Sequence, residues 1–102
     1  SASAVVKSFW LGYPGVYRIT ASARGLYSST TTTLTFSGTN VLRFSVEGSG
    51  WTSLSGNLHI AGPMQVTVML STSGSTFTRS YVRDVCVRGR FSSNPTNYVM
   101  QD

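Results

Sequence analysis

Short runs in which apolar and polar residues alternate extend along most of the chain. The clearest run covers residues 17–24, where Tyr, Ile and two Ala alternate with Arg, Thr and Ser. A period of two places the apolar side chains on one face of a β-strand. Comparable runs lie at 42–47 and 65–70, and glycine-rich turns separate the runs at roughly ten to thirteen residues. The pattern predicts an all-β fold, an antiparallel β-sandwich (jelly roll) of about eight strands.

The segment 80–89 is rich in valine and ends at a glycine, and both features are typical of a strand. Alternation places Val85 and Val87 on one face, and Asp84 and Cys86 on the other. An acid inside a strand with arginines on either side is unusual in a chain with only three acidic residues. A strand of this length needs partners, which the shorter alternating runs supply.

Three other segments have less regular patterns. Residues 28–33 form a tract of hydroxyl side chains, which suits either an exposed strand or a loop, and a strand is favoured from Thr31 onward. Residues 51–60 are predicted to form a strand that is interrupted at 56–57, where Gly is followed by Asn. Residues 71–75 are predicted to form a turn.

The chain is predicted to form one domain over residues 1–89, followed by a C-terminal tail over residues 90–102. The tail contains Pro95, which excludes a central strand because proline has no backbone N–H to donate. Its apolar residues include Phe91 and Tyr98. We expect the tail to pack on its own domain or to contact a neighbouring subunit.

Composition narrows the class of protein. Charged residues make up only 11% of the chain, well below the usual share, and Ser, Thr and Gly replace them. Cys86 is the single cysteine, so the chain has no internal disulfide and no thiolate cluster for a metal. We predict neither a metal nor a cofactor. No apolar run approaches the roughly 18 residues that span a membrane, so membrane insertion is not expected.

The residues offer little for catalysis. His59 is the only histidine, and the three acids are far apart in the sequence. Paired carboxylates or an acid–base pair are therefore hard to assemble. We predict a non-catalytic domain with no catalytic residues.

Charge and aromatic residues suggest binding instead. Eight basic and three acidic residues give a net charge of +5, and a positive field attracts polyanions. Arg18 and Arg24 share one face of their predicted strand. Nucleic acid is the weaker prediction, because no strand alternates aromatic and basic residues as an RNA-binding sheet does. An acidic or sugar-rich surface is favoured over it.

Sugar binding would use aromatic side chains as platforms for the apolar faces of the rings. Tyr13 and Tyr27 lie near predicted turns and are the better candidates, because Trp10 and Trp51 are expected to pack in the small core. The residues predicted to bind a sugar or polyanion are Tyr13, Tyr27, Trp51, Arg18 and Arg24.

Three segments carry a resemblance to a known family. Residues 15–25 begin with a glycine and an aromatic and end with Arg-Gly, Trp51 precedes a strand, and residues 81–87 place an acid before two valines. In this order the segments resemble strands of the galactose-binding-like jelly rolls of carbohydrate-binding modules. The resemblance implies a jelly roll that binds sugars. Arg83 stands where that family has its first acid, which leaves Asp84 alone and argues against the family's structural calcium.

The composition also resembles β-sandwich domains on virus particles, which are likewise rich in Ser, Thr and Gly and poor in charge. We therefore predict a surface domain of a virus or phage particle, of the capsid-protrusion, decoration or tail-fibre type, that serves assembly and host attachment. Its expected partners are further copies of itself, other virion proteins and a cell-surface glycan, and its expected location is the virion surface or the extracellular space. The alternative is a carbohydrate-binding module of a larger secreted protein.

Overall fold

The computed structural model describes residues 1–90 and 93–102, and these residues form two facing antiparallel sheets of four strands each. Sheet I has the strand order β1-β6-β3-β4, and sheet II has the order β5-β2-β7-β8. The prediction of an antiparallel β-sandwich of about eight strands is therefore confirmed. Within these residues no helix has the length and apolar character needed to cross a membrane. The strands are β1 (Ala2–Leu11), β2 (Gly15–Gly25), β3 (Thr31–Ser37), β4 (Val41–Glu47), β5 (Thr52–Ile60), β6 (Met64–Ser73), β7 (Arg79–Arg88) and β8 (Thr96–Gln101).

The core lies between the sheets and is formed by the alternate residues that the sequence pattern places inward. The apolar residues of β2 are buried from Tyr17 to Ala23, as the alternation predicts. Leu34 and Phe36 of β3 are fully buried against them. The ring of Phe44 on β4 is only half-buried and meets Phe36 edge to face, with 6.4 Å between the ring centroids. Removal of this apolar surface from water is the main favourable term in folding.

Two of the predicted interruptions are wrong. Strand β5 runs without a break through Gly56, because this glycine marks a close approach of the two sheets and not a turn. A Cβ atom at position 56 would lie 2.8 Å from Cδ1 of Leu42 on the facing sheet. The turn predicted at 71–75 is also misplaced, since β6 continues to Ser73.

A β-bulge interrupts the alternation of β7. Asp84 has a φ of 57°, in the left-handed region that Asp tolerates better than most residues. Asp84 and Val85 together lie opposite Ala21 of β2, so that β7 contains one extra residue. As a result Val82 and Val85 are both buried, although they are three positions apart, and Arg83 points outward.

A cluster of buried hydroxyl groups joins the two sheets near one end of the sandwich. Ser80 of β7 donates a hydrogen bond to Thr72 of β6 (2.7 Å) and shares another with Thr32 of β3 (2.6 Å). The hydroxyls of Thr30 and Thr78 are hydrogen-bonded to each other beside this group. All five residues are at most 1% exposed. The hydroxyl tract that suggested an exposed strand or a loop therefore contributes to the interior, where its polar atoms have partners.

The C-terminal segment contributes a strand at the edge of sheet II. Residues 96–101 form β8, which pairs with β7, and the side chains of Tyr98 and Met100 pack against the core. The strand begins directly after Pro95, in agreement with the exclusion of proline from central strands. Phe91, the other apolar residue predicted to anchor this segment, lies outside the described residues.

Candidate polyanion-binding face

The outward surface of sheet II concentrates the positive charge of the protein. Residues of β2 and β7 that alternate with the buried positions point away from the core, and the bulge adds one more arginine to this set. We call this surface the arginine face. Its five arginines are Arg18, Arg24, Arg79, Arg83 and Arg88.

One end of the arginine face holds two arginines directly opposite each other. Arg18 of β2 and Arg88 of β7 are paired across the two strands, and both are exposed. Neither forms an ion pair among the described residues. Like charges in directly opposed positions destabilise a sheet. This opposed pair therefore gains from the binding of an anion that neutralises it.

The other end holds a cluster in which arginines and aromatic rings interleave. The guanidinium carbon of Arg83 lies 4.0 Å from the ring centroid of Trp51, and that of Arg24 lies 5.5 Å from the same centroid. Arg24 also lies over the ring of Tyr81, at 4.8 Å. We call these four residues the stacked cluster. Their separations are within the range of cation–π interactions.

Stacking fixes the arginines in a geometry that suits anions. A guanidinium group that rests on a ring still has its N–H groups directed outward in its own plane, and these bind carboxylate, sulfate or phosphate in a bidentate manner. Arg24 uses one N–H to donate to the backbone oxygen of Ser49 (3.3 Å), which restrains it further. The stacked cluster therefore holds its arginines in a partly preorganised geometry that suits an anion.

The tryptophans do not occupy the positions that the sequence predicted. Trp10 is 61% exposed and Trp51 is 42% exposed, so the expectation that both pack in the core is wrong. Trp51 is a candidate binding residue, but its ring supports arginines instead of lying open as a sugar platform.

Asp84 introduces a single negative charge beside the arginine face. Its carboxylate lies 3.8 Å from the guanidinium of Arg83, and both side chains are largely exposed. An exposed ion pair of this kind contributes about 0–1 kcal/mol, so it reduces the positive potential without cancelling it. The other two acids lie elsewhere: Glu47 is on β4 of sheet I, and Asp102 pairs with the amino group of Ser1.

The two tyrosines predicted to bind sugar lie at opposite ends of β2. Tyr13 precedes this strand and is exposed, with the guanidinium carbon of Arg90 at 4.8 Å from its ring. Its backbone oxygen accepts a hydrogen bond from the hydroxyl of Tyr17 (2.8 Å). Tyr27 follows the other end of β2 and is also exposed. The structure therefore separates Tyr13 and Tyr27, whereas it brings Arg24 and Trp51 together.

Other features of the described residues offer less chemistry. His59 lies exposed on β5, where its backbone N–H donates to the side chain of Asn40 (2.7 Å). No three His, Cys, Asp or Glu side chains among residues 1–90 and 93–102 lie together as metal ligands. A groove of about 290 Å³ opens between β1 and β8, lined mainly by apolar side chains such as Phe9 and Tyr98, with Lys7 the charged residue among them.

The set of residues predicted to bind a ligand omits four members of the arginine face and the stacked cluster, namely Arg79, Tyr81, Arg83 and Arg88. Regular alternation would have turned Arg83 toward the core, on the same side as Val85. A signal was present in the sequence, because Val82 and Val85 are separated by an odd interval. If both valines are buried, one extra residue must lie between them.

Comparison of the chain with protein-family models, with curated proteins and with solved structures finds no match. The resemblances to carbohydrate-binding modules and to virion domains therefore stay predictions, and the chemistry of the arginine face is the basis for a function.

Proposed function

We propose that this protein is a non-catalytic binding domain that recognises an acidic glycan through its arginine face. The observation that carries the proposal is the placement of five arginines on one sheet surface, with Asp84 as the acid beside them. Arginine is suited to this task, since its planar fork matches sulfate and carboxylate groups and is always charged. A positive surface of this kind also steers anionic ligands toward the protein.

The composition of the arginine face supports a glycan over a nucleic acid. Small hydroxyl and amide side chains fill the positions between the arginines, and these donate and accept hydrogen bonds in the way that sugar hydroxyls require. Single-stranded nucleic acids need open aromatic rings on which bases stack, whereas the rings of Trp51 and Tyr81 are occupied by arginines. The small polar residues in question are Thr20, Ser22, Ser53, Ser55 and Asn57.

On the surface of a virus or phage particle, binding to an acidic glycan would serve attachment to the host. Attachment domains gain strength from repetition, because several weak sites on one particle bind together. We therefore expect the protein to form trimers or larger symmetric assemblies, which light scattering measures. A monomer that binds the glycan equally well would instead fit a carbohydrate-binding module of a larger secreted protein.

Heparin is a suitable probe of the proposed function, because it is a glycan with sulfate and carboxylate groups. We expect its affinity to fall steeply between about 50 and 200 mM salt, as it does when several ion contacts are made. The double variant Arg18→Ala/Arg88→Ala should bind at least about tenfold more weakly, since each charge-assisted contact contributes about 1.5–3 kcal/mol.

The matched control is Lys7→Ala/Arg43→Ala, which removes two positive charges from strands of sheet I. This control should bind heparin nearly as well as the unaltered protein. Equal losses in both variants would mean that net charge alone attracts heparin and would overturn the proposal. Salt-independent binding would indicate a neutral ligand, and preference for single-stranded DNA over heparin would indicate a nucleic-acid-binding face.

A further inference from the structure

We infer that the ligand is a linear acidic glycan that lies along β2 and β7 and bridges the opposed pair and the stacked cluster. This inference rests on the proposed function, and it adds the shape, the direction and the minimum length of the ligand.

The distance between the two sets of arginines excludes a small ligand. Arg18 and Arg24 are six residues apart on β2, and at about 3.3 Å per residue they are separated by about 20 Å. On β7, Arg88 is paired with Arg18, whereas Arg83 is paired with Ser22 and lies about 13 Å from the opposed pair along the strands. A single sugar residue contacts one set at a time, whereas an extended chain along the strands reaches both.

The surface between the two sets has no positive charge and is rich in small side chains. Thr20 of β2 and its partner Cys86 of β7 lie there, and Ser22 marks the edge of the stacked cluster, where it is paired with Arg83. Among the outward residues between the two sets, Asp84 on the bulge bears the only charge. The arrangement suits a chain with anionic groups at two places and sugar hydroxyls between them.

The two sets are not equivalent, and this difference allows them to be tested separately. The stacked cluster is held in place by Trp51 and Tyr81, so its arginines lose little conformational entropy when an anion binds. The side chains of the opposed pair have no stacking partner or ion pair among the described residues. We expect short fragments to bind the stacked cluster first, and longer fragments to gain the opposed pair as a second contact.

The test is a series of size-defined heparin oligosaccharides, from disaccharide to decasaccharide, measured by isothermal titration calorimetry. Once a fragment reaches from one set to the other, the second contact becomes intramolecular, and the affinity should rise by about a hundredfold or more. In the variant Arg18→Ala/Arg88→Ala this stepwise rise in affinity with fragment length should disappear, while the affinity for the shortest fragments stays unchanged. In Arg24→Ala/Arg83→Ala the shortest fragments should lose most of their binding.

The control Lys7→Ala/Arg43→Ala should retain the step at the same fragment length. Circular dichroism and thermal melts of every variant establish that the fold is kept, which the exposed positions of Arg18 and Arg88 favour. A smooth increase of affinity with length, without a step, would overturn the bridging ligand but leave glycan binding intact. Failure of every fragment and of full-length heparin to bind would overturn the proposed function itself.

Discussion

Replacement of Ser80 by alanine should destabilise the domain by about 3 kcal/mol. Ser80 donates its only hydroxyl proton to Thr72, so Thr32 must donate its own proton to Ser80. Alanine removes the hydrogen-bond partner that Thr32 and Thr72 share, and leaves the hydroxyls of these two residues, which are at most 1% exposed, without it. Each buried polar group that loses its partner costs about 1–3 kcal/mol. The loss is a large part of the total stability expected for a domain, about 5–15 kcal/mol.

Urea unfolding measures this loss. With a slope of about 2 kcal/mol per molar urea, the midpoint should fall by about 1.5 M, and the slope itself should not change. The matched control is Ser45→Ala, the same chemical change at an exposed position of β4, which should alter stability by less than about 0.5 kcal/mol.

A triple variant provides the decisive comparison. Ser80→Ala combined with Thr32→Val and Thr72→Val replaces the whole hydrogen-bonded group by apolar side chains of nearly the same shape. Removal of all partners together can be close to neutral, so the triple variant should be more stable than Ser80→Ala alone. If the destabilising effects of the three changes add, or if Ser80→Ala is no less stable than Ser45→Ala, then the buried hydroxyls do not form an interdependent group and the reasoning is refuted.

Three further predictions follow from the fold and the arginine face. Phe44→Ala should lower the free energy of unfolding by about 2 kcal/mol, which is less than the loss of a fully buried phenylalanine, and Arg43→Ala should lower it by less than about 0.5 kcal/mol. Thermal melts that rank the two variants in the opposite order would contradict the assignment of inward and outward residues on β4. Asp84→Asn should raise the affinity for heparin up to about fivefold, because it removes the acid beside Arg83 and keeps a residue that tolerates positive φ; unchanged or weaker binding would count against the arginine face. Ending the chain after Gly89 removes β8 and exposes the edge of β7, so the melting temperature should drop or the protein should aggregate. A truncated protein with an unchanged melting temperature would show that β8 does not stabilise the sandwich.

The sequence was sufficient for the features that depend on local alternation. The buried side of β2, from Tyr17 to Ala23, follows directly from a period of two. The buried hydroxyls of Thr32 and Thr72 could not be predicted in this way, since Ser and Thr suit exposed strands as well as satisfied interiors. Their shared hydrogen-bond partner is Ser80, which is 8 residues from Thr72 and 48 residues from Thr32 along the chain, and which only the packing of the two sheets brings close to both.

The candidate site shows the same limit more clearly. Arg18 and Arg24 were placed on one face because they lie on one strand, which is a local property. The approach of Trp51 to Arg83 depends on the register of three strands, β5, β2 and β7, and on the bulge in the last of them. Composition and spacing alone predict neither the register nor the bulge, although the odd interval between Val82 and Val85 indicates the bulge.

The bulge in β7 has a consequence for how this protein tolerates changes of length. In a regular strand, the deletion of one residue exchanges the inner and outer faces of everything that follows, and buried valines then meet water. Asp84 is the extra residue, so its deletion would leave Arg83 and Cys86 outward and Val82 and Val85 inward. Within β7, a natural deletion of one residue is therefore most easily accommodated at the bulge. There the shortened strand keeps its valines buried and its arginines outward.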